Sequence, residues 1–378
     1  MSMSGSATAT ATATTAAPAI LPSLPRSPDG AMELRDLDAQ IARATHRGPK
    51  IALLLERAAI RQRLEDYVDA DARSAAWVAE APASLDAWKL RARVLARLHR
   101  LADARAAVDR VRQLAREPDD WEELAATLDD AAGDHARAAA YRERAARQWP
   151  DPVRLTAWAA SLTRLGRVDE ALAVMPRAAA AIRQPPAAQV AWILLQWARL
   201  HERRGEPAAA RQLLEAAHAR MPGHVEVTVH LAEAIRATGG DPAAPVAAAL
   251  AAAPPAAPHP DLLALAGRLD EARAAWERHV AALPEAFADH AARFYLGAGA
   301  DPRRALALAR ANLAHRPSDD ARALAVEAAL VAGEAALACE LARPLAAGTR
   351  PRQFLAWQAF TACEDRGAAR DLAARLGL

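Results

Sequence analysis

An alanine recurs at Ala70, Ala104, Ala138, Ala171, Ala210, Ala244, Ala272, Ala305 and Ala338, at intervals that are mostly 33 or 34 residues. Twelve residues after five of these alanines stands a proline: Pro82, Pro150, Pro222, Pro284 and Pro317. A beat of this length is one supersecondary unit used repeatedly. Such a unit cannot bury its apolar face alone and does so against its neighbours. The chain is therefore expected to form a solenoid rather than one closed core, and a solenoid is a surface for holding another molecule.

Composition fixes the class. Hydrophobic residues make up 53 % of the chain and aromatics only 4 %, because alanine dominates. Alanine is the best helix former and lets helices approach closely, whereas the β-branched and aromatic residues of sheets are scarce. An all-α fold is expected. The formal charge of +2 supplies no global field to attract nucleic acid or membrane. Arginine accounts for the basic side, since Lys50 and Lys89 are the only lysines. Two cysteines, Cys339 and Cys363, form no disulfide framework and read as buried thiols. No stretch reaches the ~20 apolar residues of a membrane span. The N-terminus lacks the basic and apolar regions of a secretory signal, so a cytoplasmic setting is expected.

Residues 1–28 are Ser/Thr/Ala-rich and then proline-rich, a composition that cannot offset the entropy of ordering, and read as a disordered tail. Residues 29–48 read as a capping helix: Asp29 offers an N-cap, Leu34, Leu37 and Ile41 share a face, and Gly48-Pro49 is expected to end it. From Lys50 the units are regular. In the unit from Ala191 to His224, Leu194, Trp197, Ala198 and His201 form one stripe before Gly205 breaks the first helix. Pro207 suits the start of the second helix, which carries Ala210, Leu214 and Ala217 before Pro222.

This unit resembles the tetratricopeptide repeat, a 34-residue helix–turn–helix. The likeness is strongest in the turns Gly166-Arg167-Val168-Asp169-Glu170-Ala171 and Gly267-Arg268-Leu269-Asp270-Glu271-Ala272. The resemblance implies a right-handed α-solenoid. Counting turns at Glu65, His99, Gly133, Gly166, Gly205, Gly239, Gly267, Ala300, Gly333 and Gly367 gives about ten repeats. The beat lengthens at Gln184-Pro185-Pro186 and shortens between Gly239 and Gly267, where Pro254, Pro255, Pro258 and Pro260 leave room only for a short helix near 261–266. The expected organisation is an N-terminal block over 49–240 with about six repeats, an irregular Pro/Ala-rich segment over 241–260, and a C-terminal block over 261–378 with about four.

Enzymatic signatures are missing. There is no phosphate-cradling glycine loop and no nucleophile elbow. His201-Glu202 lacks the second histidine of a zinc motif, and His218, His224 and His230 lie six apart, which does not put imidazoles on one helical face. The acidic pairs Asp119-Asp120, Asp129-Asp130 and Asp319-Asp320 read as residues of helix starts or turns that favour the helix dipole. No catalytic residue, cofactor or metal is expected.

In the family that the chain resembles, positions 2, 5, 9, 12 and 13 of each first helix line the concave face. Carried onto this sequence, they are Lys89, Arg93 and Arg97 in the second unit and Arg164 in the fourth. The fifth contributes Trp192, Arg199, Glu202 and Arg203, the sixth Glu233 and Arg236, and the last Phe354, Trp357, Glu364 and Asp365. The middle of the groove is thus expected to be basic with an exposed indole, suited to an acidic protein or peptide segment through charge-assisted hydrogen bonds. The expected function is a non-enzymatic interaction scaffold. Alternatives are the regulatory subunit of a separate enzyme and a helical-repeat nucleic-acid binder. The latter is disfavoured because the fifth position runs Leu55, Lys89, Glu123, Thr156, Leu195, Val229 and spells no code. Leu372 and Leu376, one turn apart on the last helix, are expected to leave an uncovered patch that either pairs two copies into a homodimer or is covered by a partner subunit.

Overall fold

A computed structural model describes residues 24–25, 29–253 and 258–378, without the side chains of Asp119 and Asp120. The expected tail (apart from Leu24 and Pro25), Pro254 and Pro255 lie outside the described residues. These residues form helices and no strand. Helix α1 (Gly30–Arg43) precedes ten helix pairs. Units 1 to 5 are α2 (Arg47–Arg61) with α3 (Leu64–Glu80), α4 (Leu85–Arg97) with α5 (Leu101–Leu114), α6 (Asp119–Ala132) with α7 (His135–Gln148), α8 (Pro152–Arg164) with α9 (Val168–Ala180), and α10 (Ala187–Arg203) with α11 (Pro207–Arg220). Units 6 to 10 are α12 (Val225–Ala237) with α13 (Ala243–Ala252), α14 (Pro260–Leu265) with α15 (Leu269–Ala282), α16 (Pro284–Leu296) with α17 (Pro302–His315), α18 (Asp319–Val331) with α19 (Ala335–Ala342), and α20 (Arg350–Ala362) with α21 (Arg366–Leu376). The architecture is an all-helical repeat solenoid.

The recurrent alanine sits where two helices of a pair meet and only a methyl fits. All nine are fully buried except Ala244, which is exposed. In unit 6, Gly240-Asp241-Pro242 delays the second helix, and Val246, two residues on, takes the buried position. Each turn holds one residue at positive φ. Glycine fills it in six units, but Gln62, His99, Ala300 and Glu364 fill it in the others. The turns expected at Glu65 and Gly367 are thus at Gln62 and Glu364. A side chain in the left-handed region costs about 1 kcal/mol relative to glycine, which packing must offset.

Helix α1 forms as expected, with Asp29 accepting from Ala31 N at 2.8 Å and Leu34, Leu37 and Ile41 buried. It does not end at Gly48-Pro49, because these lie in the first turn of α2, where proline lacks only a donor that would be unpaired anyway. Nor does α1 cap unit 1 alone. Glu33 accepts from Ala187 N (2.6 Å) and Ala188 N (3.1 Å), capping α10 where Pro186 offers no side-chain cap. Gly30 lies so close to unit 5 that a Cβ there would stand 2.0 Å from Arg220 O.

Successive turns of the superhelix touch. His99, in the turn of unit 2, meets Glu285 O at 3.2 Å and Arg316 Nη1 at 3.4 Å, both in unit 8. Gly133, in the turn of unit 3, lies under Ser318 at the start of unit 9, and Gly166, in unit 4, lies beside Thr349 at the start of unit 10. The offset is six units each time, so one superhelical turn takes about six repeats. At its beginning this seam is apolar, with Tyr67 of α3 edge-on to Phe287 of α16, ring centroids 5.6 Å apart. From there one core runs through Trp276, the largest fully buried side chain, and His279, 4.8 Å from Phe287.

Two expectations at the C-terminus fail. Leu372 and Leu376 are 1 % and 4 % exposed, because they face inward and Leu372 joins the core of units 9 and 10. They present no patch. Cys339 and Cys363 are not separate thiols but a disulfide joining α19 to the end of α20, with Cα atoms 6.1 Å apart. It stitches unit 10 to a unit whose second helix stops at Ala342 and continues as a 3-10 turn, Arg343–Ala347.

Candidate functional site

The closed pitch makes polar residues on the first helices of distant units face a common interior. Arg203 ends α10 and is exposed, and it forms no ion pair among the described residues. Burial by the surrounding protein lowers its pKa from the ordinary value, and the like charges of Arg199, Arg164 and Arg352 lower it further, while Asp320 acts the other way. A solvated cation hemmed in by other cations is a place where an added anion gains.

The neighbours of Arg203 are mostly committed to carboxylates. Arg199 pairs with Glu226 at 3.2 Å. Burial disfavours the Glu226 carboxylate, but Arg199, His224, His230 and His290 outweigh it and hold the group below its usual range. Glu202 accepts from His230 Nδ1 at 3.1 Å and overcomes the burial that would otherwise lower that imidazole. Arg164 lies 3.4 Å from Asp130, which also binds Arg142 (2.8 Å) and His135 (2.9 Å). Asp129 and Asp130 stand in the last turn of α6, where the dipole disfavours a carboxylate, so they are not the dipole-favoured residues expected. Arginines offset them instead: Arg137 is 3.2 Å from Asp129. Arg352 binds Asp319 at 3.0 Å and Asp320 at 2.8 Å.

Arg199 and Arg203 lie one turn apart on α10, and the charge of Arg164, on α8, acts on Arg203 as well. Arg97 approaches the same interior beside Tyr67, which also feels Glu226. Lys89 and Arg93 lie apart from them, on a cleft of about 650 Å³ whose wall is Trp77, with Asp86 and Leu90 beside them. Gly48 lets that indole lie close, since a Cβ there would be 2.9 Å from Trp77 Cη2. Arg236 lines another cleft of about 510 Å³, with Pro242 and Leu265. Trp192 is half-buried against the core rather than an exposed indole. Phe354 is 41 % exposed and tilts against Trp357 at 5.3 Å, an aromatic pair on α20.

Sequence reasoning missed Arg352, Asp320, Arg142 and His135. All four lie outside the assigned groove positions: Arg142 and His135 enter through Asp130 of their own unit, and Asp320 and Arg352 come from units 9 and 10. Among the described residues, no three His, Cys, Asp or Glu side chains are grouped as metal ligands would be, and no helix is long and apolar enough to cross a membrane.

Residues 190–234, spanning α10, α11 and most of α12, match the tetratricopeptide repeat. No curated protein matches the chain significantly in sequence. Among solved structures, the chain is similar to one from the APC/C hetero-tetramer Cut9-Hcn1, with 14 % identity, TM-score 0.46, and coverage of 91 % of this chain and 59 % of that one. It therefore spans about three fifths of that relative. It is also similar to human IFIT1, a dimer with PPP-AAAA (15 % identity, TM-score 0.41, 91 % and 80 % covered). A third likeness is to the TPR2AB domain of yeast Sti1 in complex with an HSP90 peptide (14 % identity, TM-score 0.29, 68 % and 95 % covered). Residues 190–234 thus carry a matched tetratricopeptide repeat, set within ten consecutive helix pairs of an all-helical repeat solenoid.

Proposed function

We propose that this protein is a non-enzymatic scaffold that holds an acidic protein or peptide segment against its inner face. A tetratricopeptide fold suits protein–protein interaction, and the finer reading rests on one observation: Arg203 is exposed at the end of α10, one turn from Arg199, and outside any ion pair among the described residues. Arg93 and Arg97 are likewise exposed and outside any ion pair among the described residues. An anionic segment would form charge-assisted, bidentate hydrogen bonds there without first breaking internal pairs.

The test is a triple substitution, Arg93→Glu, Arg97→Glu and Arg203→Glu. Exposed charges contribute little to stability, so helicity and melting should be unchanged. Binding of a fluorescein-labelled deca-glutamate peptide, and capture of partners from the native host, should be lost. Full retention of both would refute the reading. A homodimer through the C-terminal repeats would need a surface other than Leu372 and Leu376. A cytoplasmic setting and the Cys339–Cys363 disulfide pull in opposite directions, since cytosolic thiols are kept reduced.

A further inference from the structure

Unit 10 is held differently from the units before it. The long core ends on α18, where Leu324, Ala325 and Ala328 are its last buried members. Units 9 and 10 share a second, separate core, whose large buried side chains are Val326, Leu345, Phe360 and Leu372. Half of its ten buried residues are alanine, which removes little apolar surface from water. Helix α19, which faces α20 across this joint, ends after eight residues. The polar contacts add little. Arg352 reaches Asp319 and Asp320, whose side chains are largely exposed, and Arg343, itself exposed, stands 3.6 Å from Asp365.

Across this thin joint runs the Cys339–Cys363 disulfide. Cys339 is buried in α19, and Cys363 is the half-buried C-cap of α20. The bond therefore ties the second helix of unit 9 to the far end of the first helix of unit 10, closing a loop between residues 24 apart. The half-buried sulfur of Cys363 gives a thiolate a point of attack. The chain has no other cysteine, so the pair can open and close without scrambling.

We infer that Cys339 and Cys363 form a reversible thiol–disulfide clamp that sets whether unit 10 stays docked on unit 9. The inference is independent of the acidic-partner reading. One thiolate of a dithiol reductant attacks Cys363 Sγ, the S–S bond breaks, and its electron pair leaves on Cys339 Sγ, which takes up a proton. The second thiol of the reductant then displaces Cys363 Sγ. The chain gains two electrons and two protons, and the reductant becomes a disulfide. With the clamp open, α20 and α21 are held by the small alanine-rich core and exposed ion pairs. Their detachment uncovers Phe360 and Leu372 and carries off the Phe354–Trp357 pair, along with Thr349, which lies beside Gly166 of the first winding.

The test is hydrogen exchange on the full chain, oxidised and then reduced with dithiothreitol, with thiol alkylation and intact mass reporting the state. A disulfide closing a loop of this length changes an opening equilibrium by on the order of a hundredfold, so exchange across 350–378 should speed up by about that factor on reduction. Exchange in α8 to α17 should stay within about twofold, because repeats open locally. Reoxidation with glutathione disulfide should restore the slow rate. The double variant Cys339→Ser with Cys363→Ser should exchange at the reduced rate in both buffers, which separates the clamp from any other effect of the reductant. Absence of the disulfide after treatment with glutathione disulfide, resistance of the folded chain to dithiothreitol, or equal exchange across 350–378 in the two states would each overturn the inference. So would a loss of protection throughout the chain, since the clamp would then not be local to unit 10.

Discussion

A strictly linear solenoid couples only neighbouring units, so two side chains seven units apart should contribute independently to stability. Tyr67 in unit 1 and Phe287 in unit 8 break that rule. Their rings meet edge-on at 5.6 Å with an interplanar angle of 79°. Phe287 is 6 % exposed, and truncating such a side chain to alanine costs roughly 3–5 kcal/mol in all, which the milder change to leucine avoids in part. Of this, an edge-to-face aromatic pair accounts for about 1 kcal/mol. The perturbation is therefore a cycle of Tyr67→Leu, Phe287→Leu and the double variant, followed by urea unfolding. Tyr67→Leu also removes the hydroxyl bond to Ala58 O (3.2 Å), but that loss occurs in both arms and cancels. A coupling of about 1 kcal/mol is expected, together with faster hydrogen exchange in α3 when only Phe287 is changed. Additivity within about 0.3 kcal/mol would refute the contact between superhelical turns.

Two further outcomes follow from the same seam. His99 faces Glu285, Asp289, His290 and Arg316; a carbonyl only accepts, so Nδ1 carries the proton toward Glu285 O and Nε2 accepts from Arg316. Burial foremost pushes His99 down to about 4, and burial does the same to His224, the cap of α12. The unfolded chain then takes up protons from about pH 6.5 downward that the folded one refuses until about pH 4, so stability falls as the pH drops through that window, by roughly 3 kcal/mol per histidine at most. Urea midpoints between pH 7 and 4 should show this, with a shallower fall in His99→Asn. Limited proteolysis should cut first within 241–260, yet the two fragments should co-elute in gel filtration, because Tyr67–Phe287, His99–Glu285 and Arg100–Glu285 span the cut; separation of native fragments would show that the seam does not hold them.

What the sequence made legible was local. An alanine that must be small and a turn residue that must reach positive φ recur within a unit, so ten pairs could be counted. The short helix expected near 261–266 stands at Pro260–Leu265, because proline both starts it and forbids an earlier start. Turns without glycine were misplaced at Glu65 and Gly367, where no residue type marks the left-handed position. Contacts between superhelical turns left no trace, since pitch sums small rotations over many units. Glu33 caps a helix 154 residues away, and nothing near Glu33 announces it. For the candidate site, the family pattern pointed to Arg164, Arg199 and Arg203, whereas Asp320 and Arg352 belong to units 9 and 10 and could not be placed without the superhelical pitch.

That offset constrains how such a chain can evolve. Repeat proteins ordinarily lengthen and shorten by duplicating or losing a whole unit, because each new copy finds the same neighbours. Here an added unit between the fourth and the eighth would carry every later residue one step along the spiral. Gly133 would then meet a different helix start than Ser318, and His99 would lose Glu285. The gene is thus free to gain or lose copies only at its ends, and the number of units between its first and second windings is effectively locked.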